Sequence, residues 1–184
     1  QDITQCIEEI KFDISKGPQN PAHDWIQRIQ FSKSDNYSSD YYEGKKATPS
    51  DIANNLPIIR PTVEKEIVDS IAQNTITIIK TSSGQGKTTL ALRAISLLTE
   101  EYTPYQITKC NNDAELGHII EYFHMRTRIG EKPLILLDNL DAHLSEWNLL
   151  AQLMQTGVTY HYKLLVTSRE NDWYNYGGDI SNLH

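Results

Sequence analysis

The chain has 184 residues, of which 39% are hydrophobic, 9% aromatic and 22% charged, a globular rather than a disordered composition. That length serves one core of ordinary size but not two independent enzymatic domains. With 17 basic against 24 acidic residues the formal charge is −7, which disfavours a nonspecific hold on nucleic acid, and no apolar stretch approaches a membrane span, so a soluble, cytoplasmic chain is expected.

In chain order, Ile3, Ile7, Ile10 and Ile14 recur at spacings of four, three and four and lay one apolar stripe along a short helix, which Gly17-Pro18 stops. A second short helix is expected over 22–30, with Ile26 and Ile29 turned inward. The polar run 32–40 reads as a loop or linker. Tyr37, Tyr41 and Tyr42 are of a type that stacks on bases, but the surrounding acids favour a packed or solvent-facing segment. Pro57 and Pro61 bracket the start of the main domain, dividing the chain into a helical extension and linker over 1–57 and a domain over 58–184. A helix over 63–72 then puts Val63, Ile67 and Ile71 on one face.

The segment that follows carries the most chemistry. Ile76-Thr77-Ile78-Ile79-Lys80-Thr81-Ser82-Ser83-Gly84-Gln85-Gly86-Lys87-Thr88-Thr89-Leu90 is a strand, a glycine-bearing turn and a helix start, the order a phosphate-binding loop requires. Amides of Ser82, Ser83, Gly84, Gln85 and Gly86 would converge on phosphate oxygens, helped by the positive end of the following helix. Lys87 would reach the β- and γ-phosphates, Thr88 would ligate Mg²⁺, and Thr89 completes the loop. Thr81 stands where the G-x-x-x-x-G-K-[ST] pattern has its first glycine, which makes this a variant loop.

Beyond it, Leu90, Ala94 and Leu97 with Ala91, Ile95 and Leu98 form an apolar face suited to lying on a sheet. A strand is expected over 105–110, then a helix capped by Asp113 with Leu116, Ile119, Ile120 and Phe123 toward the core. Pro133-Leu134-Ile135-Leu136-Leu137-Asp138-Asn139-Leu140-Asp141 is a continuous apolar run ending in acids, as in a strand buried on both faces of a parallel sheet. Asp138 is placed to hold the Mg²⁺ water shell, while Asp141 either orients the attacking water or caps the next helix. Ser145 can cap that helix, which carries Leu149, Leu150, Leu153 and Met154 and is closed by Gly157. Lys163-Leu164-Leu165-Val166-Thr167-Ser168-Arg169 is a further short strand; Thr167 or Ser168 could bond near the γ-phosphate, and Arg169 either senses that phosphate or makes a structural ion pair. Residues 179–184 could begin a fifth strand. Strands alternate with helices four times, the sign of an α/β fold with a parallel sheet sandwiched by helices. Cys6 and Cys110 have no metal-type spacing, and the six histidines are scattered, which argues against zinc.

The chain resembles the STAND class of P-loop NTPases, which includes NACHT and NB-ARC proteins and the novel-STAND proteins of bacteria. The resemblance rests on Gly84-Gln85-Gly86-Lys87-Thr88-Thr89-Leu90-Ala91, on Leu134-Ile135-Leu136-Leu137-Asp138-Asn139-Leu140-Asp141 and on Lys163-Leu164-Leu165-Val166-Thr167-Ser168-Arg169, and covers about residues 58–184. The Thr-Ser-Arg strand end discriminates best. Ile58-Ile59-Arg60-Pro61-Thr62-Val63-Glu64 is similar to the segment that borders adenine in this class, with Ile59 and Pro61 in place of its glycine and glutamate. The resemblance implies Arg60 on the adenine side, a strand order of 5-1-4-3-2 with a buried strand between loop and sensor, and ATP or ADP with Mg²⁺ as cofactors.

It also implies a function. In this class a resting ADP-bound form gives way to an ATP-bound oligomer that activates a fused effector, and in bacteria such proteins often serve antiviral defence. Slow Mg²⁺-dependent hydrolysis, with Asp138, Asp141 and Lys87 as its catalytic groups, suffices to reset such a switch. The partners implied are nucleotide, other domains of one longer chain and further copies of it, with no membrane. The start at Gln1 and the end soon after the third motif lead us to expect a fragment. Two other readings stand beside the switch: an AAA-type motor or loader acting on nucleic acid, disfavoured by net acidity and by Thr167-Ser168-Arg169, and a P-loop fold that binds nucleotide only as scaffold, suggested by Thr81.

Overall fold

The computed structural model describes residues 25–33, 45–140 and 144–176. Its elements in chain order are β1 (Ile26–Arg28), α1 (Pro49–Ala53), α2 (Pro61–Gln73), β2 (Ile76–Thr81), α3 (Lys87–Ser96), β3 (Thr103–Ile107), α4 (Asp113–Arg128), β4 (Pro133–Leu140), α5 (Leu144–Tyr160), β5 (Lys163–Arg169) and α6 (Glu170–Tyr176). The strands form one sheet in the order β1-β3-β4-β5-β2. Every pairing is parallel except that of β1, which adds antiparallel to the edge of β3.

Period-two alternation in the central strands builds two cores. Ile135 and Leu137 of β4 and Leu164 and Val166 of β5 face Leu116, Ile119 and Phe123 of α4 and Leu149, Leu150 and Leu153 of α5. Leu134, Leu136 and Leu165 face the other way, onto Leu90, Ala91, Ala94 and Ile95 of α3, with Ile67 and Ile71 of α2 and Ile52 of α1. Strands apolar on both faces account for their unbroken hydrophobic runs. The result is an α/β sandwich of P-loop type, as the alternation of elements predicts.

Several local expectations are corrected. Residues 26–28 form a strand, not part of a helix over 22–30: Ile26 pairs with Ile107 and Arg28 with Tyr105, so sheet hydrogen bonds override a weak helical spacing. Strand β3 begins at Thr103 and ends at Ile107, two residues earlier at its start and three at its end than expected over 105–110. The cap of α4 is Asn112, whose side chain accepts from the Glu115 amide; Asp113 falls inside the first turn. Gly157 does not close α5, which runs on to Tyr160 and is followed by His161 in the left-handed region (φ 56°). A Cβ at Gly157 would lie 2.9 Å from Thr75 and 3.1 Å from Tyr162, so that glycine serves close packing. Leu97 and Val63 are exposed instead of facing the core. Strands β2, β5, β4 and β3 take the places 1-4-3-2 of the implied order, but no strand separates the loop after β2 from the end of β5, because β5 pairs directly with β2 and itself lies between β2 and β4. The expected helix over 3–14, most of the 32–40 linker, Asp141 and the strand over 179–184 lie outside the described residues.

Candidate functional site

The loop between β2 and α3 is shaped by two left-handed glycines, Gly84 (φ 78°) and Gly86 (φ 79°), a conformation costly for residues with a Cβ. Ser82, Ser83, Gly84 and Gln85 are exposed, while Gly86, Thr88 and Thr89 are half-buried. Lys87, at the first position of α3, is buried and donates from Nζ to the carbonyls of Thr81 (3.2 Å) and Ser82 (3.0 Å). Thr81 ends β2, and the lysine folded across the turn closes the loop on itself.

Asp138 is the hub. The Thr88 hydroxyl donates to both its oxygens, each at 3.0 Å, and the Thr167 hydroxyl donates to Oδ1 at 2.6 Å. Thr167 Oγ1 in turn accepts from the Asn139 amide at 2.7 Å. These contacts follow from alternation: Asp138 and Thr167 share the sheet face of Leu136 and Leu165, on which α3 lies. Ser168 points the other way, is fully buried, and donates to the Leu140 carbonyl at 3.0 Å, so of the two hydroxyls it is Thr167 that joins Asp138. A bulge fixes the geometry. Leu137 pairs with Val166 and Leu140 with Ser168, leaving Asp138 and Asn139 opposite Thr167 alone, with Asn139 left-handed at φ 61°.

A cation already sits on this carboxylate. Lys46 Nζ is 2.6 Å from Asp138 Oδ2, although the two side chains are 58% and 0% exposed. Nothing in the periodicity around Lys46 could have found it. The donor set of the Thr88 hydroxyl and Asp138 carboxylate is hard oxygen, and an ammonium standing there marks a place for positive charge, so the residues fit a divalent cation such as Mg²⁺. Among the described residues no cluster of three or more His, Cys, Asp or Glu forms another metal site.

A cleft of about 250 Å³ adjoins the loop and is lined by Pro57, Ile58, Arg60, Gly84, Gly86, Thr89 and Arg93, among others. One of these, Arg93, belongs to an ion pair that sequence reading misses, between residues 29 apart. Arg93 grips Glu64 in a bidentate pair, Nε to Oε1 at 3.2 Å and Nη2 to Oε2 at 3.3 Å, and reaches Asn55 Oδ1 at 3.3 Å. Glu64 Oε1 also accepts from the Arg60 amide at 2.9 Å. Burial pushes the Glu64 carboxyl up, but the Arg60 amide and the bonds and charge of Arg93 outweigh it and hold it below its usual range. Arg60 is thus brought to the same cleft as the loop. Arg169 is exposed at the end of β5, level with Thr81 across the β2–β5 pairing.

A strand–loop–helix with a lysine at the helix start, a buried aspartate on the next strand but one and a Thr-Ser-Arg strand between them point to one class, and the comparison with protein families agrees: the model described as novel STAND NTPase 5 matches residues 39–181. The chain belongs to the novel STAND NTPase 5 family. A comparison with curated proteins found no match. A STAND NTPase domain binds and hydrolyses nucleoside triphosphate. No helix among the described residues is long and apolar enough to cross a membrane.

Proposed function

We propose that the chain is the nucleotide-binding switch domain of a STAND ATPase, in which Mg²⁺ with ATP or ADP lies across the loop and the nucleotide state controls oligomerisation and a fused effector in antiviral defence. The observation that carries this reading is the convergence of three strand ends on Asp138, through Thr88 after β2 and Thr167 on β5. Lys87 would leave the Thr81 and Ser82 carbonyls for the β- and γ-phosphates, exchanging two neutral acceptors for charged ones. Amides from Ser82 to Thr89 would cradle the phosphates, and the base would enter the cleft beside Arg60. Thr88 and Asp138 would hold Mg²⁺, which when bound neutralises charge on the phosphates. Thr167 keeps the Asp138 carboxylate in one orientation by donating to it while accepting from Asn139. Asp141 remains a candidate for orienting water, and Arg169 a candidate for sensing the γ-phosphate from the mouth of the loop. Slow turnover suits such a switch, since hydrolysis resets a population. The domain division at 57/58 and a cytoplasmic site belong to the same proposal.

Calorimetric titration with ADP and with a nonhydrolysable ATP analogue tests it. Both should bind the wild type, and Lys87→Ala should remove most of the affinity; equal affinity in the two proteins would overturn the assignment.

A further inference from the structure

Lys46 is not a stray surface lysine. Two residues on, Thr48 caps α1 in a reciprocal box: its hydroxyl accepts from the Asp51 amide at 3.3 Å, while Asp51 Oδ2 accepts from the Thr48 amide at 2.8 Å. Ala47 is buried between them, and Ile52 of α1 is sunk in the core beneath α3. The backbone on its C-terminal side is therefore anchored, and the stem of Lys46 spans from that anchor to Asp138. The carboxylate it meets is fully buried, and a buried charge demands a partner. Lys87 does not serve, since its ammonium is on the Thr81 and Ser82 carbonyls. Thr88 and Thr167 supply hydrogen bonds but no charge. Among the described residues, Lys46 is the cation within ion-pairing distance of Asp138.

We propose that Lys46 is the resident cation of the Asp138–Thr88 position and must leave it before a divalent ion can bind there, so that metal loading with nucleotide releases the Lys46 side chain from the end of β4. This rests on the nucleotide-binding reading for its biological setting. The exchange itself is one of charge: a divalent ion would replace a tethered ammonium at the same carboxylate, and the ammonium would go to solvent. The Lys46 side chain thereby becomes a reporter of whether the site is loaded.

The experiment compares the full chain with Lys46→Met, which keeps the stem without the charge, Lys46→Gln as a second neutral variant, and Lys46→Arg, which keeps the charge. The first readout uses Mg²⁺ alone, by thermal denaturation without nucleotide. The neutral variants should be less stable than wild type in EDTA and gain more from added Mg²⁺, while Lys46→Arg follows wild type. The second readout is ADP affinity across a Mg²⁺ series. The Mg²⁺ concentration for half-maximal effect should fall roughly tenfold in the neutral variants, between what exposed and buried pairs contribute, with ADP affinity in EDTA unchanged. An unmoved Mg²⁺ response in both readouts would overturn the proposal. So would a loss of ADP affinity in EDTA, which would make Lys46 a phosphate ligand. Failure of the wild type to bind ADP, with the Mg²⁺-alone differences intact, would instead refute the nucleotide reading and leave the cation exchange standing.

Discussion

Replacing Arg93 by methionine should cost this domain about 3 kcal/mol of stability, and the structure says where the loss arises. Glu64 and Arg93 side chains are 4% and 9% exposed, so removing the guanidinium strands a buried carboxylate rather than releasing it to water. Breaking one partner of such a pair costs about 3–5 kcal/mol, and contacts of 3.2–3.3 Å, longer than the best charged hydrogen bonds, place it at the lower end. At about 2–4 °C per kcal/mol for a chain of this size, the midpoint should fall by roughly 6–12 °C. Glu64→Gln with Arg93→Met should recover much of that, because glutamine still accepts from the Arg60 amide and carries no charge.

The pH dependence gives an independent check. In the wild type the Glu64 carboxyl ionises below its ordinary value of 4.5, so its contribution is fully present above that value and is lost as pH falls through the lower, folded one. Without Arg93 the uncompensated burial raises the folded ionisation instead, and acid then relieves the variant by neutralising the stranded group. The gap between wild type and Arg93→Met should therefore narrow as pH drops from 7 toward 4. Urea denaturation across that range measures it. A loss below about 1 kcal/mol at pH 7, the size of a surface pair, or a double variant no better than the single one would refute the reasoning.

Two further outcomes concern the chemistry. Asp138→Asn should retain nucleotide while lowering Mg²⁺-dependent turnover on the order of a hundredfold or more, measured as phosphate release, because the loop amides survive and the charge that holds the metal does not. Arg169→Ala should reduce the preference for ATP over ADP by about 1–3 kcal/mol in paired titrations of monodisperse protein; if both ligands weaken equally, Arg169 is structural and the sensor idea fails.

What could be read from the chain was local. The loop from Thr81 to Thr89 announces itself because glycines at left-handed positions, a lysine and a hydroxyl must stand in fixed order. Asp138 and Thr167 could be located because strands buried on both faces leave an unbroken apolar run with polar groups only at its end. Other features depend on contacts that no window of sequence contains. Glu64 and Arg93 are 29 residues apart on separate helices, and each alone resembles an ordinary helix-surface charge. Lys46 and Asp138 meet across 92 positions of the chain. The three residues of β1 take their conformation from the edge of β3. Ile26 and Ile29, three apart, would share one face of a helix, but in the sheet they are buried in different cores, Ile26 with Tyr105 and Ile107 and Ile29 with Ile52 and Leu134.

The bulge in β4 shows how the sheet and the site depend on each other. In an unbroken strand Leu140 would share the face of Leu136 and Asp138, toward α3; the extra residue instead sends it into the core on the α4 and α5 side. The strand end is thereby sealed by an apolar side chain on one face while Asp138 stays on the other, opposite Thr167 and within reach of Thr88. Asn139 makes this possible, since asparagine tolerates the left-handed angle and its amide supplies the bond that fixes the Thr167 hydroxyl. The carboxylate is therefore aimed by backbone geometry before any ligand arrives, and its orientation does not depend on a flexible loop.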